Sequence, residues 1–321
     1  MIYQLLPEND SSLVAFAGIL FAFVLTIFAT GRLCPYLPKD GGRDFAHDGK
    51  LSAGKPRGAG IIYVLVFVAA AFLFIPLHAE MTIYLILITL CMLTGYLDDA
   101  AKTPWGEYKK GFLDLCVAAL VAMTFLKYNS SVVELAFFHV KFVLHPVIFA
   151  LLAIVLVWAS VNVTNCADGV DGLSGTLAII TLVTIYLIDR IKERPESFSY
   201  AILLFAVCIL GYLWYNATPS KLMMGDAGSR AMGLMISIAI LKTGCPVLYI
   251  PVALVLILDG GLGLLKVALI RFLKIHILKN TRTPLHDHVR KVWDWSNTQT
   301  VYRFAIIQII ISAAVIYGIQ M

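Results

Sequence analysis

The chain has 321 residues, 60% of them hydrophobic and only 14% charged, with a formal net charge of +5 and a mean hydropathy of +0.85. Soluble domains average about 25% charged residues, so this composition excludes an ordinary soluble enzyme and points to an integral membrane protein whose first partner is the lipid bilayer. The mild net charge gives no footprint for nucleic acid, and none is expected as a partner.

Apolar runs of helical length recur along the chain and alternating ten-residue strands do not, which favours a helical bundle over a barrel. The opening residues, MIYQLLPEND, are acidic and lack a basic segment, so the first apolar run is expected to stay as a helix rather than be cleaved as a signal. The expected spans, in chain order, are 12–33, 59–77, 81–97, 112–128, 145–166, 173–189, 199–215, 229–243, 247–271 and 302–320. No internal repeat or soluble insert interrupts them. The fold class is therefore an all-α integral membrane protein with about ten transmembrane helices, residues 1–321 forming a single polytopic membrane domain. The ninth run, PVALVLILDGGLGLLKVALIRFLKIHILK, is too long for one crossing at about 1.5 Å per residue. It is expected to be bent or broken, with Asp259-Gly260-Gly261 offering the bend. Beyond that point Lys266, Arg271 and Lys274 alternate with apolar residues in a pattern suited to the membrane surface. The six cysteines are scattered without a CxxC pair and read as small core residues.

Ten crossings put both termini on one side. Of the Lys and Arg between spans, eighteen fall on one face, among them Arg43, Lys50, Lys55, Arg57, Lys102 and Lys110, and six, among them Arg194 and Lys242, on the other. The positive-inside rule makes the first face cytoplasmic and both termini extracytoplasmic. The same parity brings four polar segments to that cytoplasmic face: YLDDAAK (96–102), NVTNCADGVDG (162–172), YNATPSKLMMGDAGS (215–229) and TRTPLHDHVRK (281–291). Hydropathy alone did not require that convergence, which marks a site.

Asp98 and Asp99 close the third span, where negative charge opposes the helix dipole and two adjacent carboxylates repel unless a cation or proton relieves them. Lys102 follows closely enough to pair with them. In NVTNCADGVDG, Asn162, Asn165, Asp168 and Asp171 recur every third residue, each step drifting about 60° around a helix. Either the helix stops near Gly169 and Gly172 or the polar set wraps its tip. A cap needs one such residue, whereas two amides and two carboxylates suit a polar ligand. Asp226, between glycines before the eighth span, fits an N-terminal cap, and equally a third carboxylate for Mg²⁺, which takes one or two carboxylates plus substrate phosphates. His286 and His288, two residues apart, do not share a helix face. Their loop reads either as an aromatic, basic membrane anchor or as a phosphate-binding flap. Two classes of function follow: an enzyme that moves a phosphate-linked group between a nucleotide and a lipid, or an ion-coupled transporter. Transporters place ionisable residues near the membrane midplane, while here only Asp259 and Lys266 are arguable interior charges, which favours the enzyme.

These four segments resemble, in order and spacing, the signatures of the polyprenyl-phosphate N-acetylhexosamine-1-phosphate transferases, and the resemblance runs across essentially all ten spans. Within that superfamily the chain is most similar to the branch that moves phospho-MurNAc-pentapeptide from UDP-MurNAc-pentapeptide to undecaprenyl phosphate, giving lipid I and UMP at the bacterial cytoplasmic membrane. The resemblance implies Mg²⁺ as cofactor and a homodimer. It implies Asp98, Asp99 and Asp226 as catalytic residues, with Asp98 acting toward the lipid phosphate as base or nucleophile and Asp226 as the metal ligand. Asn162, Asn165, Asp168, Asp171, Asn216, Met223 and Gly225 would line the nucleotide pocket, Lys102 and Lys110 would face phosphates, and His286 and His288 would sit on a closing loop. Three features depart from the family pattern: Asp287 stands between the histidines where the branch has three in a row, Met223 stands where a nucleobase-stacking Phe is usual, and KLSAGKPRGAG replaces a Thr-Pro-Thr loop. They bear on the sugar carried more than on the reaction, and make the sister enzymes that transfer GlcNAc-1-phosphate the alternative.

Overall fold

The structure is a computed structural model that describes residues 11–42, 52–193 and 196–321. The stretch 1–10 and Arg43, Lys50 and Arg194, all used above, lie outside the described residues. The helices are α1 (Ser11–Leu33), α2 (Gly60–Phe74), α3 (Ala79–Asp99), α4 (Glu107–Tyr128), α5 (Pro146–Cys166), α6 (Leu173–Ile191), α7 (Glu196–Asn216) and α8 (Gly225–Lys242). After them come α9 (Pro246–Val252), α10 (Leu254–Leu273), α11 (Leu285–Val292) and α12 (Asn297–Gly318). Each expected span coincides with helix. By length and composition, and among the described residues, seven helices can cross a membrane, or eight if the bent pair α9–α10 is one span; α2, with 15 residues, is shorter but wholly apolar.

α8 is the centre of the bundle, since Asp226 through Leu241 are all buried. Small residues let its neighbours approach closely, as where Ser160 of α5 donates to Gly233 O at 2.7 Å. α3 runs antiparallel to α8 and is clasped to it at both ends. At one end Asp99 meets the amides of Asp226 and Ala227; at the other Glu80 meets Lys242. The second end is finished by an antiparallel hairpin that the sequence reading did not anticipate, β1 (Val132–Leu135) and β2 (Val140–Val143). Glu134 of β1 pairs with Lys192 after α6, and its amide donates to Gly244 O after α8. The end of α12 packs there too, with Gly318 against Phe137. α1 lies parallel to α7, Tyr200 bonding Ala15 O and Tyr215 bonding Ile27 O, so α1 starts at that same far end.

The ninth run is broken, but not where glycine invited it. α9 and α10 meet at 72° around Ala253, whose φ is −118° and ψ 21°. Pro251 removes one helical donor, and the backbone groups around the break are met by side chains from neighbouring helices. Gln308 of α12 accepts from Val255 N at 2.9 Å and donates to Pro251 O at 3.1 Å; Thr181 of α6 donates to Val252 O at 3.0 Å. Asp259, Gly260 and Gly261 instead close a π-helical turn, Ile257–Gly261. Helix interruptions are tolerated in bundles when neighbours supply such partners.

Candidate active site

The two carboxylates that end α3 have different neighbours. Asp99 accepts from the backbone N–H of Asp226 at 3.1 Å and of Ala227 at 3.0 Å. Its charge, unfavourable at its own helix C-terminus, thus lies at the N-terminus of α8, where both capping and the dipole favour it. Gly225 makes this possible: it adopts φ +71°, and a Cβ there would collide with the Asp99 carboxylate. Asp98 points elsewhere, accepting from Trp105 N at 2.6 Å and pairing with Lys110 of α4. The same ammonium reaches Asp226 Oδ2 at 3.0 Å. Lys110 therefore bridges two carboxylates from two different helices.

Arg57, from the loop before α2, closes the cluster. It donates through Nε to Asp99 at 2.8 Å and lies 3.7 Å from Asp226 and 3.5 Å from Asp40. Burial works against its charge, but Asp99, Asp226 and Asp40 outweigh that and hold the guanidinium above its ordinary range. Its loop is fastened to the MMGD segment by backbone bonds from Met223 N to Pro56 O, Ala59 N to Met223 O and Gly60 N to Met224 O, at 2.8, 3.0 and 3.0 Å. Met223 is held through its backbone, leaving a half-buried side chain. Side-chain exposure ranks the three carboxylates: Asp99 0%, Asp98 2% and Asp226 11%. Asp226 has the most open side chain of the three.

One turn deeper lies a second bridge between α4 and α8 with its polarity reversed. Asp114, four residues after Lys110, accepts from Arg230, four residues after Asp226, and both side chains are 2% exposed. Residues four apart share a helix face, so the bridges stack.

α5 ends at Cys166 and the chain turns through 167–172, so the helix stops rather than wrapping its polar set around a longer tip. Its amides face the acid cluster. Asn165 donates to Ser229 at 2.9 Å with its amide turned toward Asp226, while Asn162 approaches Asp114 at 3.4 Å. The carboxylates face the other way. Asp168 accepts from Ser174 at 2.6 Å, and Asp171 accepts from Ser220 N at 3.2 Å and lies 3.9 Å from Lys55. Asn216 joins the two loops: it accepts from Gly172 N at 2.8 Å and donates to Leu222 O at 2.9 Å, so its amide is committed to backbone.

His286, on α11, is 3% exposed and holds Asp259 of α10 through Nδ1 at 2.8 Å. Its far side meets Gly169, where a Cβ would collide with Nε2. His288 turns away, packing on Trp293 with ring centroids 5.6 Å apart and accepting from Arg282 N at 3.3 Å. Lys266 donates to the carbonyls of Leu278 and Thr281, both at 3.0 Å, tying down the segment that leads to α11. Lys102 is exposed and makes no ion pair among the described residues. Of the cysteines, Cys91, Cys208 and Cys245 are buried, Cys116 is exposed and Cys166 sits half-buried at the end of α5.

The sequence reading missed Arg57, Lys55, Asp114, Arg230 and Asp259 as members of this region. Arg57 and Lys55 precede α2 on the face already marked as basic, and parity alone could have included them. Among the described residues no group of three or more His, Cys, Asp or Glu is arranged to hold a metal. The donor chemistry nevertheless suits Mg²⁺, which needs few protein carboxylates: among the described residues, the cations paired with Asp40, Asp98, Asp99 and Asp226 are Arg57 and Lys110, so carboxylates outnumber them.

Residues 81–244 match the family described as Glycosyl transferase family 4. The chain is similar to the phospho-N-acetylmuramoyl-pentapeptide-transferase of Treponema pallidum, 39% identical over 291 residues covering 85% of this chain and 80% of that one. It is also similar to proteins of the same name from Thermotoga neapolitana, 27% identical with 94% and 96% covered, and from a Wolbachia of Drosophila simulans, 25% identical with 93% and 96% covered.

Proposed function

This chain belongs to the phospho-N-acetylmuramoyl-pentapeptide-transferases of glycosyl transferase family 4, and from that premise we propose that it transfers phospho-MurNAc-pentapeptide from UDP-MurNAc-pentapeptide to undecaprenyl phosphate, yielding lipid I and UMP for peptidoglycan. The observation that carries the reading is the meeting of Asp98, Asp99, Asp226, Lys110 and Arg57 beside the Asn162–Asp171 tip. The transporter alternative is not favoured, because Asp98, Asp99 and Asp226 gather at helix ends and the relatives are transferases. In this reading ten spans cross the bacterial cytoplasmic membrane, with the basic site end cytoplasmic and both termini outside. A homodimer is part of the same reading.

An oxygen of the lipid phosphate attacks the phosphorus bonded to the sugar; the new P–O bond forms as the bond to UMP breaks, and UMP departs. Asp98, held by Lys110 and the Trp105 amide, acts as base toward the lipid phosphate. Asp99 positions Asp226 by fixing the first turn of α8. Lys110 and Arg57 supply positive charge to the phosphates. Mg²⁺, held by Asp226, would offset the diphosphate charge that otherwise repels the incoming phosphate. Asp168, Asp171 and Met223 line the uridine side and Asn162 and Asn165 the side toward the acid cluster, with Gly225 and Asn216 shaping the wall, His286 beside Gly169 and His288 on the flank of the same loop. Lys102, exposed at the rim, meets phosphate from solvent.

The test is UMP release by purified protein with undecaprenyl phosphate and Mg²⁺, comparing UDP-MurNAc-pentapeptide with UDP-GlcNAc. Turnover with the pentapeptide donor alone is expected. Turnover with UDP-GlcNAc alone would move the chain to the sister branch, and turnover with neither, in folded protein, would remove the reading.

A further inference from the structure

Asp259 has no part in the reaction as described, and its surroundings are unusual. It is 0% exposed, within the π-helical turn Ile257–Gly261, a distortion that recurs at functional sites. Gly260 beside it lets α10 press against α5, since a Cβ there would collide with Val163 O. A buried carboxylate is costly unless it is well partnered. Here one residue supplies the partners: the backbone N–H of His286 donates to Oδ1 at 2.8 Å, and ring Nδ1 lies 3.0 Å from Oδ1 and 2.8 Å from Oδ2.

This geometry fixes the imidazole. A carboxylate only accepts, so Nδ1 must carry a proton, and the neutral ring is left with its lone pair on Nε2. Nε2 is the atom that lies against Gly169 in the turn after α5, and no hydrogen bond to it is made among the described residues. We propose that Asp259 is a positioning residue for phosphoryl transfer: through Nδ1 it sets the tautomer and orientation of His286, so that Nε2 is offered to the nucleotide-diphosphate side of the site. Nε2 then accepts a hydrogen bond when neutral or donates one to a phosphate oxygen when protonated. The proposal rests on the reading above, in which the 162–172 tip binds the UDP donor.

The same carboxylate also anchors the first turn of α11, and the test must separate that structural duty from the tautomer. Asp259→Asn does so. Its amide oxygen can still accept the His286 backbone N–H, while its NH₂ turned to the ring would demand a lone pair on Nδ1 and push the proton to Nε2. The expected result is a kcat at least tenfold lower with undecaprenyl phosphate and UDP-MurNAc-pentapeptide, KM within twofold and thermal stability retained. In ¹⁵N-histidine spectra the His286 signal, assigned by His286→Gln, should move from the Nδ1–H to the Nε2–H form. His286→Gln alone should also lower kcat, and adding Asp259→Asn to it should lower kcat no further, because residues acting through one another are not additive. Wild-type kcat in Asp259→Asn, an unchanged tautomer, or additive losses in the double variant would overturn the inference. Wild-type activity in His286→Gln would instead overturn the placement of His286 in the site.

Discussion

The α3–α8 pair is clasped by acids and bases at both ends, but the two clasps are composed differently. At the far end Lys242 lies 3.0 Å from both oxygens of Glu80, and Asn129 completes the set, accepting from Lys242 at 2.8 Å and donating to Glu80 at 2.6 Å. One acid, one base and one amide satisfy each other. At the site end Asp40, Asp98, Asp99 and Asp226 share Arg57 and Lys110, and Asp226 keeps part of its surface open. A matched clasp holds helices together. An unmatched one, where carboxylates outnumber cations in a partly dry pocket, carries a standing attraction for an external cation, and such excess charge marks functional sites more than structural ones. The deeper Asp114–Arg230 bridge lets the site end keep its helices in register without spending the charge of Asp226.

The strongest way to break this contrast is Asp226→Asn. It preserves shape and hydrogen bonding but removes the open charge. Activity is expected to fall on the order of 10²–10³-fold, the scale for deleting one preorganised electrostatic group, with an unchanged melting temperature. The measurement is UMP release across a Mg²⁺ titration. Activity restored to wild type by ordinary Mg²⁺ would show that the open carboxylate is dispensable. Next in size is Gly225→Ala, which alters no charge. Its methyl would collide with the Asp99 carboxylate at a backbone of φ +71°, tilting the first turn of α8. A displacement near 1 Å costs about 100-fold in rate, so the same assay should show a large kcat loss with UDP binding retained.

The sequence disclosed the site end through its polar helix tips and the far end hardly at all. Hydropathy located the long apolar helices and missed the short polar α11, and it began α4, α8 and α12 late, at 112, 229 and 302 against Glu107, Gly225 and Asn297, because their first turns are polar. For α8 that error hid the main fact: Asp226 lies inside the helix, and the cap comes from Asp99 of another one. Resemblance assigned Asp98, Asp99 and Asp226 together, but only the fold separates a capped carboxylate from an open one. Arg57, Asp114–Arg230 and Asp259–His286 were illegible for a common reason. Each is a pairing between distant residues, and a lone charge in an apolar run carries no mark of its partner. The break at Ala253 was misplaced because glycine permits a bend, whereas Gln308 and Thr181, far away in sequence, stabilise one.

Asn216→Ala sharpens the contrast on the amide side. Asn216 satisfies Gly172 N and Leu222 O, both backbone groups that bound the pocket. Leaving them unpaired costs about 1–3 kcal/mol where no water replaces the amide. Since the two loops carry Asp171 and Met223, the KM for the UDP donor should rise about tenfold while kcat changes less. An unchanged KM in a destabilised protein would confine Asn216 to holding the fold.

Smallest of all should be Lys242→Met at the far end. The side chains of Lys242 and Glu80 are 16% and 19% exposed, so water still screens the pair, and Asn129 remains to donate to Glu80. Exposed pairs contribute roughly 0.2–1 kcal/mol, so the expected loss is about 1 kcal/mol, a shift of a few degrees in melting temperature. Turnover should stay within twofold, because Lys242 closes α8 some 16 residues, or about 24 Å of helix at 1.5 Å per residue, from Asp226. The informative failure would be a fall in kcat without a fall in stability. The far clasp would then be setting the tilt of α8, and with it the depth at which Asp226 meets its ligands, so the matched end would be part of the catalytic geometry rather than only its anchor.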